Sequence, residues 1–157
     1  VRKALAVWGP DPVDQLQLIG PISLMSDTTT CWRCQRSTPV HALVAQGVID
    51  QDDGVTDSNE PPGRSFIYDI PAAVMPPVLA GRLLALPLNY RPALSKTLGE
   101  ATWANLCIHC NALQGAYFLH SEPDGRFFGG PSGCGSGTEQ QVATGNFAVS
   151  DASYSLE

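Results

Sequence analysis

The sequence predicts an α+β fold: a small, irregular single domain with two tight turns on β-hairpins, a long insertion between them and short helices. Three observations support this class. The length of 157 residues suits one domain, and 15 glycines and 13 prolines interrupt long regular elements. A composition of 43% apolar and 15% charged residues provides a modest core. β-forming residues surround both Cys-x-x-Cys motifs, at 31–34 and 107–110.

The first hairpin is predicted on both sides of the first motif. PISLMSDTTTCWRC and STPVHALVAQGVI are rich in β-formers, so Cys31 and Cys34 would lie at the hairpin tip. The next stretch, about 50–64, is acidic and rich in turn residues, which indicates an exposed loop. An EF-hand is disfavoured there, because Ile49 would occupy its first ligand position.

The elements that follow are predicted to be short. SFIYDI is a strand candidate, PAAVMPPVLAG holds one or two helical turns that end at Gly81, and RLLALPLNY is extended. EATWANLC is a strand that enters the second motif. After that motif we expect a short helix, with a strand as the alternative. The helix would place four side chains near one face, those of Leu113, Tyr117, Phe118 and His120.

We assign residues 1–128 to a single domain and residues 129–157 to a Gly/Ser-rich, flexible C-terminal segment. GGPSGCGSGTEQQ is flexible by composition, and VATGNFAVSDASYSLE has too few large apolar residues to form a domain of its own. Cys134 lies in this segment, outside both motifs, and is predicted to be a free thiol.

The paired motifs indicate a metal site rather than disulfides. A disulfide across a Cys-x-x-Cys turn is strained, whereas two such turns, as zinc-ribbon-like knuckles, present four thiolates to one tetrahedral zinc ion. The separation of the motifs is long for a zinc ribbon but allowed, because loop-closure entropy grows only logarithmically with length. The alternatives are ordinary buried cysteines and a thioredoxin-like redox motif, which lacks its βαβ pattern here. The predicted ligands of one structural zinc are Cys31, Cys34, Cys107 and Cys110.

We predict that the protein is not an enzyme. Four thiolates fill the zinc shell and leave no position for water or substrate. A zinc-dependent hydrolase or deaminase-like enzyme is the disfavoured alternative. Zinc deaminases place His-x-Glu before their Cys-x-x-Cys, whereas His120 and Glu122 follow both motifs here.

The histidines and two tryptophans near the motifs are predicted to have structural roles. We expect His41 to be hydrogen-bonded in a strand, His109 to be exposed and His120 to pack beside the second motif, with metal ligation as the alternative for His41 and His120. Trp32 and Trp103 would shield the sulfurs from water, with a binding platform as the alternative.

Several of these stretches resemble a known group of proteins. CWRC and TPVHAL, followed by ANLCIHCNALQGAYFLHSEPDGRFF, are similar to poorly characterised bacterial zinc-ribbon proteins with an early CWxC and a late CxHCxALQGxxFLHxEP block. The resemblance implies zinc binding by the four paired cysteines and carries no settled activity. Asn111 stands where glycine commonly follows such a knuckle, and asparagine also adopts the left-handed turn.

The charge balance favours a basic protein as the partner. A formal net charge of -6 repels phosphate backbones, and electrostatic complementarity speeds association with a basic surface. We predict a non-catalytic binding protein, one version being a bacterial immunity or antitoxin protein. Its acidic surface would include Asp50, Asp52, Asp53, Asp57 and Glu60.

A nucleic-acid-binding zinc ribbon is the alternative function. Trp32, Arg33 and Arg36 lie together near the first motif and support it, whereas the net charge opposes it. The lack of a membrane-length apolar run predicts a soluble protein, and reduced cysteines predict the cytoplasm.

Overall fold

The computed structural model describes residues 15–50, 63–96, 99–133 and 137–155. They form a sheet-rich fold with short helical elements, which agrees with the coarse fold class predicted from the sequence. The strands are β1 (Gln15–Ile19), β2 (Ile22–Thr30), β3 (Ser37–Ala45), β4 (Gly47–Asp50), β5 (Ser65–Tyr68), β6 (Tyr90–Ser95), β7 (Glu100–Leu106), β8 (Leu113–Gln114), β9 (Thr138–Ala143), β10 (Phe147–Ser150) and β11 (Ser153–Tyr154). The helical elements are a 3-10 turn at Ala72–Val74, α1 (Pro77–Leu84), a π-helical turn at Tyr117–Ser121 and a 3-10 turn at Pro131–Gly133.

A central sheet of five antiparallel strands, in the order β11-β5-β3-β2-β9, organises the core. Its longest ladder joins β2 to β3 and ends where Thr30 lies opposite Ser37. Alternate residues of β3 point to opposite faces, so Ala42 and Val44 enter one hydrophobic cluster and Leu43 enters another. Because both faces are covered, β3 is buried along almost its whole length.

The C-terminal strands belong to the same sheets, which corrects the prediction of a separate flexible segment at 129–157. β9 and β11 form the two edges of the central sheet. β10 forms the edge of a second, three-stranded sheet in the order β10-β1-β4. Ala143 and Val149 bring these strands into the main core. Residues 137–155 therefore fold with residues 15–50.

The third sheet, in the order β6-β7-β8, is attached to the central sheet through polar contacts. The Asn105 side chain in β7 accepts a hydrogen bond from the His41 amide at 2.8 Å and donates one to the His41 carbonyl at 2.9 Å. The Trp103 amide donates to the Ile70 carbonyl at 2.9 Å. The Asn105 side chain thus makes, with the His41 backbone, the two hydrogen bonds that a neighbouring strand would otherwise make. These bonds fix β7 against β3.

Helix α1 continues past its predicted end at Gly81. It begins at Pro77, where a proline is tolerated because that amide has no helical acceptor, and runs to Leu84. Leu79 and Leu83, one turn apart, are buried against the core, and this packing outweighs the poor helix propensity of glycine. In the described part of the chain, no helix has the length and apolarity needed to cross a bilayer.

The segment after the second cysteine motif combines a short strand with a π-helical turn. The turn is closed by a bond from the Glu122 amide to the Tyr117 carbonyl, an i to i+5 spacing that differs from that of an α-helix. The predicted shared face is therefore wrong. Leu119 is the buried residue, whereas the Tyr117 and Phe118 side chains are 62% and 64% exposed.

Candidate metal centre

The first knuckle, residues 31–36, connects β2 to β3. The Cys31 amide donates to the Arg36 carbonyl at 2.8 Å, and the Gln35 amide donates to the Cys31 carbonyl at 3.0 Å. This closure needs a left-handed residue, and Gln35 has a φ of 64°. Cys34 is held inside the turn, so its thiol lies on the same side as that of Cys31.

The second knuckle, residues 107–112, connects β7 to β8 and repeats the same bonds. The Cys107 amide donates to the Ala112 carbonyl at 2.9 Å, and the Asn111 amide donates to the Cys107 carbonyl at 2.9 Å. Asn111 has a φ of 64°, as expected for the residue that takes the usual place of glycine. The left-handed turn was predictable from the sequence at Asn111 but not at Gln35.

The structure brings the four predicted ligand sulfurs together, all within 4.8 Å of one another. The Sγ atoms of Cys31 and Cys110 are 3.6 Å apart, and those of Cys34 and Cys107 are also 3.6 Å apart. A tetrahedron with metal–sulfur distances of about 2.3 Å has edges of about 3.8 Å between sulfurs. The cluster therefore has the size of a four-sulfur metal site. Cys134 lies outside the described residues.

Hydrogen bonds to the sulfurs favour their ionised form. The Arg33 amide donates to Cys31 Sγ and the His109 amide to Cys107 Sγ, each at 3.3 Å. The buried Gln114 side chain donates to Cys31 Sγ at 3.3 Å. Such donors orient metal ligands and stabilise negative sulfur. The contact of Gln114 with the sulfur was not predicted from the sequence. The sequence feature that points to it is a polar residue placed directly after the apolar Leu113 in a short strand.

Three of the thiols differ in how readily they ionise, namely those of Cys31, Cys34 and Cys107. Burial opposes the ionisation of Cys31, but amide and Gln114 hydrogen bonds lower its pKa to about 6. Burial also opposes ionisation of Cys107, while amides of its own knuckle lower its pKa. The Arg36 amide lowers the pKa of Cys34, yet burial and hydrogen bonds with the other sulfurs raise it to about 11. The Cys34 thiol therefore stays protonated at neutral pH without a nearby cation, and a bound metal ion would displace that proton.

Further contacts join the knuckles around the sulfur cluster. The Trp32 indole N–H donates to the Leu113 carbonyl at 2.8 Å, and the Ile108 amide donates to Thr38 Oγ1 at 3.1 Å. His109 is exposed, as predicted, and its Nε2 donates to the Ser37 carbonyl at 3.0 Å. Direct hydrogen bonds therefore hold the two knuckles together independently of any metal ion.

The other predicted residues lie apart from the sulfurs. His41 Nδ1 is 2.7 Å from the Ser26 hydroxyl, which confirms a hydrogen-bonded histidine. His120 stacks on Tyr68 with centroids 3.9 Å apart, so it packs rather than joins the cluster. Trp103 belongs to the main core and does not shield the sulfurs, which corrects that expectation.

No protein-family model, curated protein or solved structure gives a significant match to this chain. The resemblance to bacterial zinc-ribbon proteins stays a prediction from the sequence.

Proposed function

We propose that the four paired cysteines bind one zinc ion with a structural role. The observation that carries this proposal is the convergence of four sulfurs from two distant knuckles at tetrahedral spacing. Four sulfur ligands in a tetrahedron are typical of structural zinc, with iron as the competing metal. The cluster contains no histidine or carboxylate, so a bound zinc would keep no open position for chemistry.

The zinc would connect two knuckles that are far apart in the sequence. One knuckle closes the β2–β3 ladder of the central sheet, and the other belongs to the third sheet. Seventy-odd intervening residues make the unfolded loop long, so its closure by a metal removes considerable chain entropy. The ion would therefore act as the fastener between the sheets, and its binding free energy would contribute to folding.

The role that we propose for the whole protein is binding of another protein without turnover, in a reducing compartment such as the cytoplasm. A net charge of -6 favours a basic partner, and an immunity or antitoxin protein is one version. Asp50, from the predicted acidic surface, accepts a hydrogen bond from the Tyr154 hydroxyl at 3.1 Å, so part of that surface serves the fold. The other four residues of the surface lie outside the described residues, namely Asp52, Asp53, Asp57 and Glu60.

A nucleic-acid role remains the second candidate because of the first knuckle's surface. The Trp32 side chain is 62% exposed, and both Arg33 and Arg36 are exposed. The indole N–H is used by the Leu113 carbonyl, which leaves the ring face for stacking on a base. The net negative charge of the chain opposes nucleic-acid binding, because it repels the phosphate backbone.

The metal proposal is tested by elemental analysis and native mass spectrometry of protein purified without chelators. We expect about one zinc per chain in the wild type and in Cys134→Ser, and none in Cys31→Ser. Iron as the main metal, or a Cys134→Ser variant with half the zinc, would overturn the assignment.

The choice of partner is tested by two experiments. The tagged protein is purified from cells at low and physiological salt, and any co-eluting protein is identified and then titrated in purified form. In parallel, the protein is titrated with duplex and single-stranded DNA and RNA, with Arg33→Glu plus Arg36→Glu as the control. A salt-sensitive complex with a basic protein supports the proposal. Submicromolar nucleic-acid binding that the double charge reversal abolishes would replace it.

A further inference from the structure

A cleft of about 230 Å³ lies beside the second knuckle, between the central and third sheets. Aromatic side chains form much of its wall: Tyr68, Tyr90, Trp103, Tyr117, Phe118 and His120. The Tyr117 and Phe118 rings meet edge to face, with centroids 5.7 Å apart, and both are largely exposed. The cleft is smaller than the pockets that enclose whole drug-sized ligands, so it suits one side chain or a small head group.

The charge of the lining is one-sided. Among the described residues that line the cleft, Asp69 is the only one with a carboxylate, and none is a lysine or an arginine. Two histidines, His41 and His120, also line the cleft. Burial lowers the pKa of His41 to about 4 and that of His120 to about 3, so both are neutral at pH 7. The described lining therefore presents one carboxyl group among aromatic surfaces, and its two histidines carry no charge at neutral pH.

Asp69 has no salt-bridge partner within the described ranges. Burial raises the pKa of its carboxyl, which means that the ionised form is less well solvated than in water. Burial and then the charge of Asp69 raise the pKa values of Tyr68 and Tyr90, so the carboxylate acts on both phenols. A positive group placed in the cleft would relieve this unfavourable burial of charge.

The backbone holds Asp69 in place from both sides. Its φ of 53° is in the left-handed region, which aspartate and asparagine tolerate better than most residues. Tyr68, before it, pairs with Ser153 in the central sheet. Pro71, two residues after it, forms a bridge with Thr102 of the third sheet. Asp69 thus occupies the crossing between the sheets that form the cleft, and its backbone is fixed before any ligand binds.

We infer that this cleft binds an organic cation, an alkylammonium or guanidinium group, whose charge lies against Asp69 and whose carbon chain packs on the aromatic wall. Aromatic faces attract cations, and a nearby carboxylate adds to that attraction in a partly desolvated site. The cation has two possible sources: a lysine or arginine side chain of another protein, or a free amine. The residues involved are separate from the four cysteines, so the inference does not depend on the metal.

The test uses the full-length, zinc-loaded protein in two-dimensional NMR titrations. The probes are N-acetyl-lysine-N-methylamide, N-acetyl-arginine-N-methylamide, n-butylammonium and the neutral N-acetyl-norleucine-N-methylamide. We expect saturable shifts at residues 68–69, 90 and 115–120 with the cations and weaker binding of the norleucine compound. Asp69→Asn keeps the shape and the left-handed preference of the residue, and should weaken cation binding at least about tenfold.

Asp151→Asn is the matched control. Asp151 also has a positive φ, of 61°, but is exposed and lies outside the cleft lining, so its variant should bind as the wild type does. If the amino-acid derivatives bind more tightly than butylammonium, and Tyr117→Ala plus Phe118→Ala weakens only them, the source is a protein side chain. If butylammonium binds as tightly as the amino-acid derivatives do, the source of the cation is a free amine.

Three results would overturn the inference: no saturation by any cation up to about 10 mM, equal binding of the neutral norleucine probe, or undiminished binding by a folded Asp69→Asn. The comparison of charged and neutral probes uses the wild type alone, so it decides the question even if Asp69→Asn does not fold. Zinc content measured on the same samples keeps this outcome distinct from that of the metal proposal.

Discussion

The two knuckles share a backbone conformation but have different support from the sheets. The first closes the β2–β3 ladder, which pairs over eight residue positions, whereas the second closes β7 and β8, which pair over two. Both turns have the same pair of backbone hydrogen bonds and a left-handed residue at the same place. A hairpin of two pairs is not stable alone. The second knuckle therefore needs support from outside its own hairpin. β6 supplies part of it by pairing with β7, and contacts with the first knuckle supply another part.

The largest expected effect comes from removing one ligand of each knuckle. Cys31→Ser and Cys107→Ser should both lose the proposed zinc ion and lower the free energy of unfolding by several kcal/mol, because structural zinc binding is coupled to folding. Chemical denaturation with parallel zinc analysis measures this. Cys134→Ser is the control and should unfold as the wild type does. We would abandon a shared site if either ligand variant kept both its zinc and its melting temperature.

The cluster of four cysteines was predictable because its members lie in two motifs with a fixed local spacing. Two Cys-x-x-Cys motifs flanked by β-formers indicate their own turns, whichever fold surrounds them. The hairpin around Cys31 and Cys34 and the strand before Cys107 were predictable for the same reason. The hydrogen bond from Gln114 to Cys31 Sγ was not predictable in this way. It forms only because the two knuckles lie close together in the fold, and no local sequence pattern determines how close they lie.

The C-terminal strands were missed for a different physical reason. β9, β10 and β11 are edge strands, and β9 buries only its last two residues. An edge strand needs few large apolar side chains, so its sequence resembles a loop. The cleft was also unpredictable, because Asp69 and Tyr117 approach it from segments far apart in the sequence.

The next effect concerns Asn105, which stands between the two sheets that carry the knuckles. Asn105→Ala would leave the buried amide and carbonyl of His41 without partners, and we expect a loss of about 3 to 5 kcal/mol in the free energy of unfolding. Hydrogen exchange should show β8 losing protection before the β2–β3 ladder. Asn146→Ala removes an exposed bond to the Gly20 amide and should cost less than about 1 kcal/mol. Equal costs would show that Asn105 does not link the sheets.

A smaller effect is expected from pH, through His120, the half-buried histidine that follows the second knuckle. Burial lowers the pKa of His120 to about 3, below its unfolded value of about 6.5. The contribution of neutral His120 to the free energy of unfolding is complete above pH 6.5. It is lost as the pH falls toward 3, because the unfolded chain binds the proton more readily than the folded chain does. Between pH 7 and pH 4.5 this amounts to on the order of 2 to 3 kcal/mol.

His120→Phe should remove that part of the acid sensitivity while keeping the stacking on Tyr68. Denaturation at both pH values, with zinc content measured in each sample, separates this loss from release of the metal. The contribution assigned to His120 would be wrong if wild type and variant lost equal stability over this pH range.

The smallest effect compares the two knuckles directly, at the residues with positive φ. Gln35 and Asn111 both have a φ of 64°, but glutamine pays the full steric penalty of its Cβ there, whereas asparagine tolerates this region better. Gln35→Gly should therefore raise the free energy of unfolding by roughly 0.5 to 1 kcal/mol, because the strain that it relieves exceeds the entropy that glycine gains in the unfolded chain. Asn111→Gly relieves less strain for the same entropy gain, so its increase should be smaller. Each glycine variant also loses one side-chain hydrogen bond: the Gln35 side chain donates to the Trp32 carbonyl at 3.0 Å, and Asn111 accepts from Arg91 at 3.2 Å. Melting curves of the two zinc-loaded variants test this order. A larger gain at Asn111 than at Gln35 would mean that support from the surrounding sheet, rather than the strain of the turn itself, sets the stability of each knuckle.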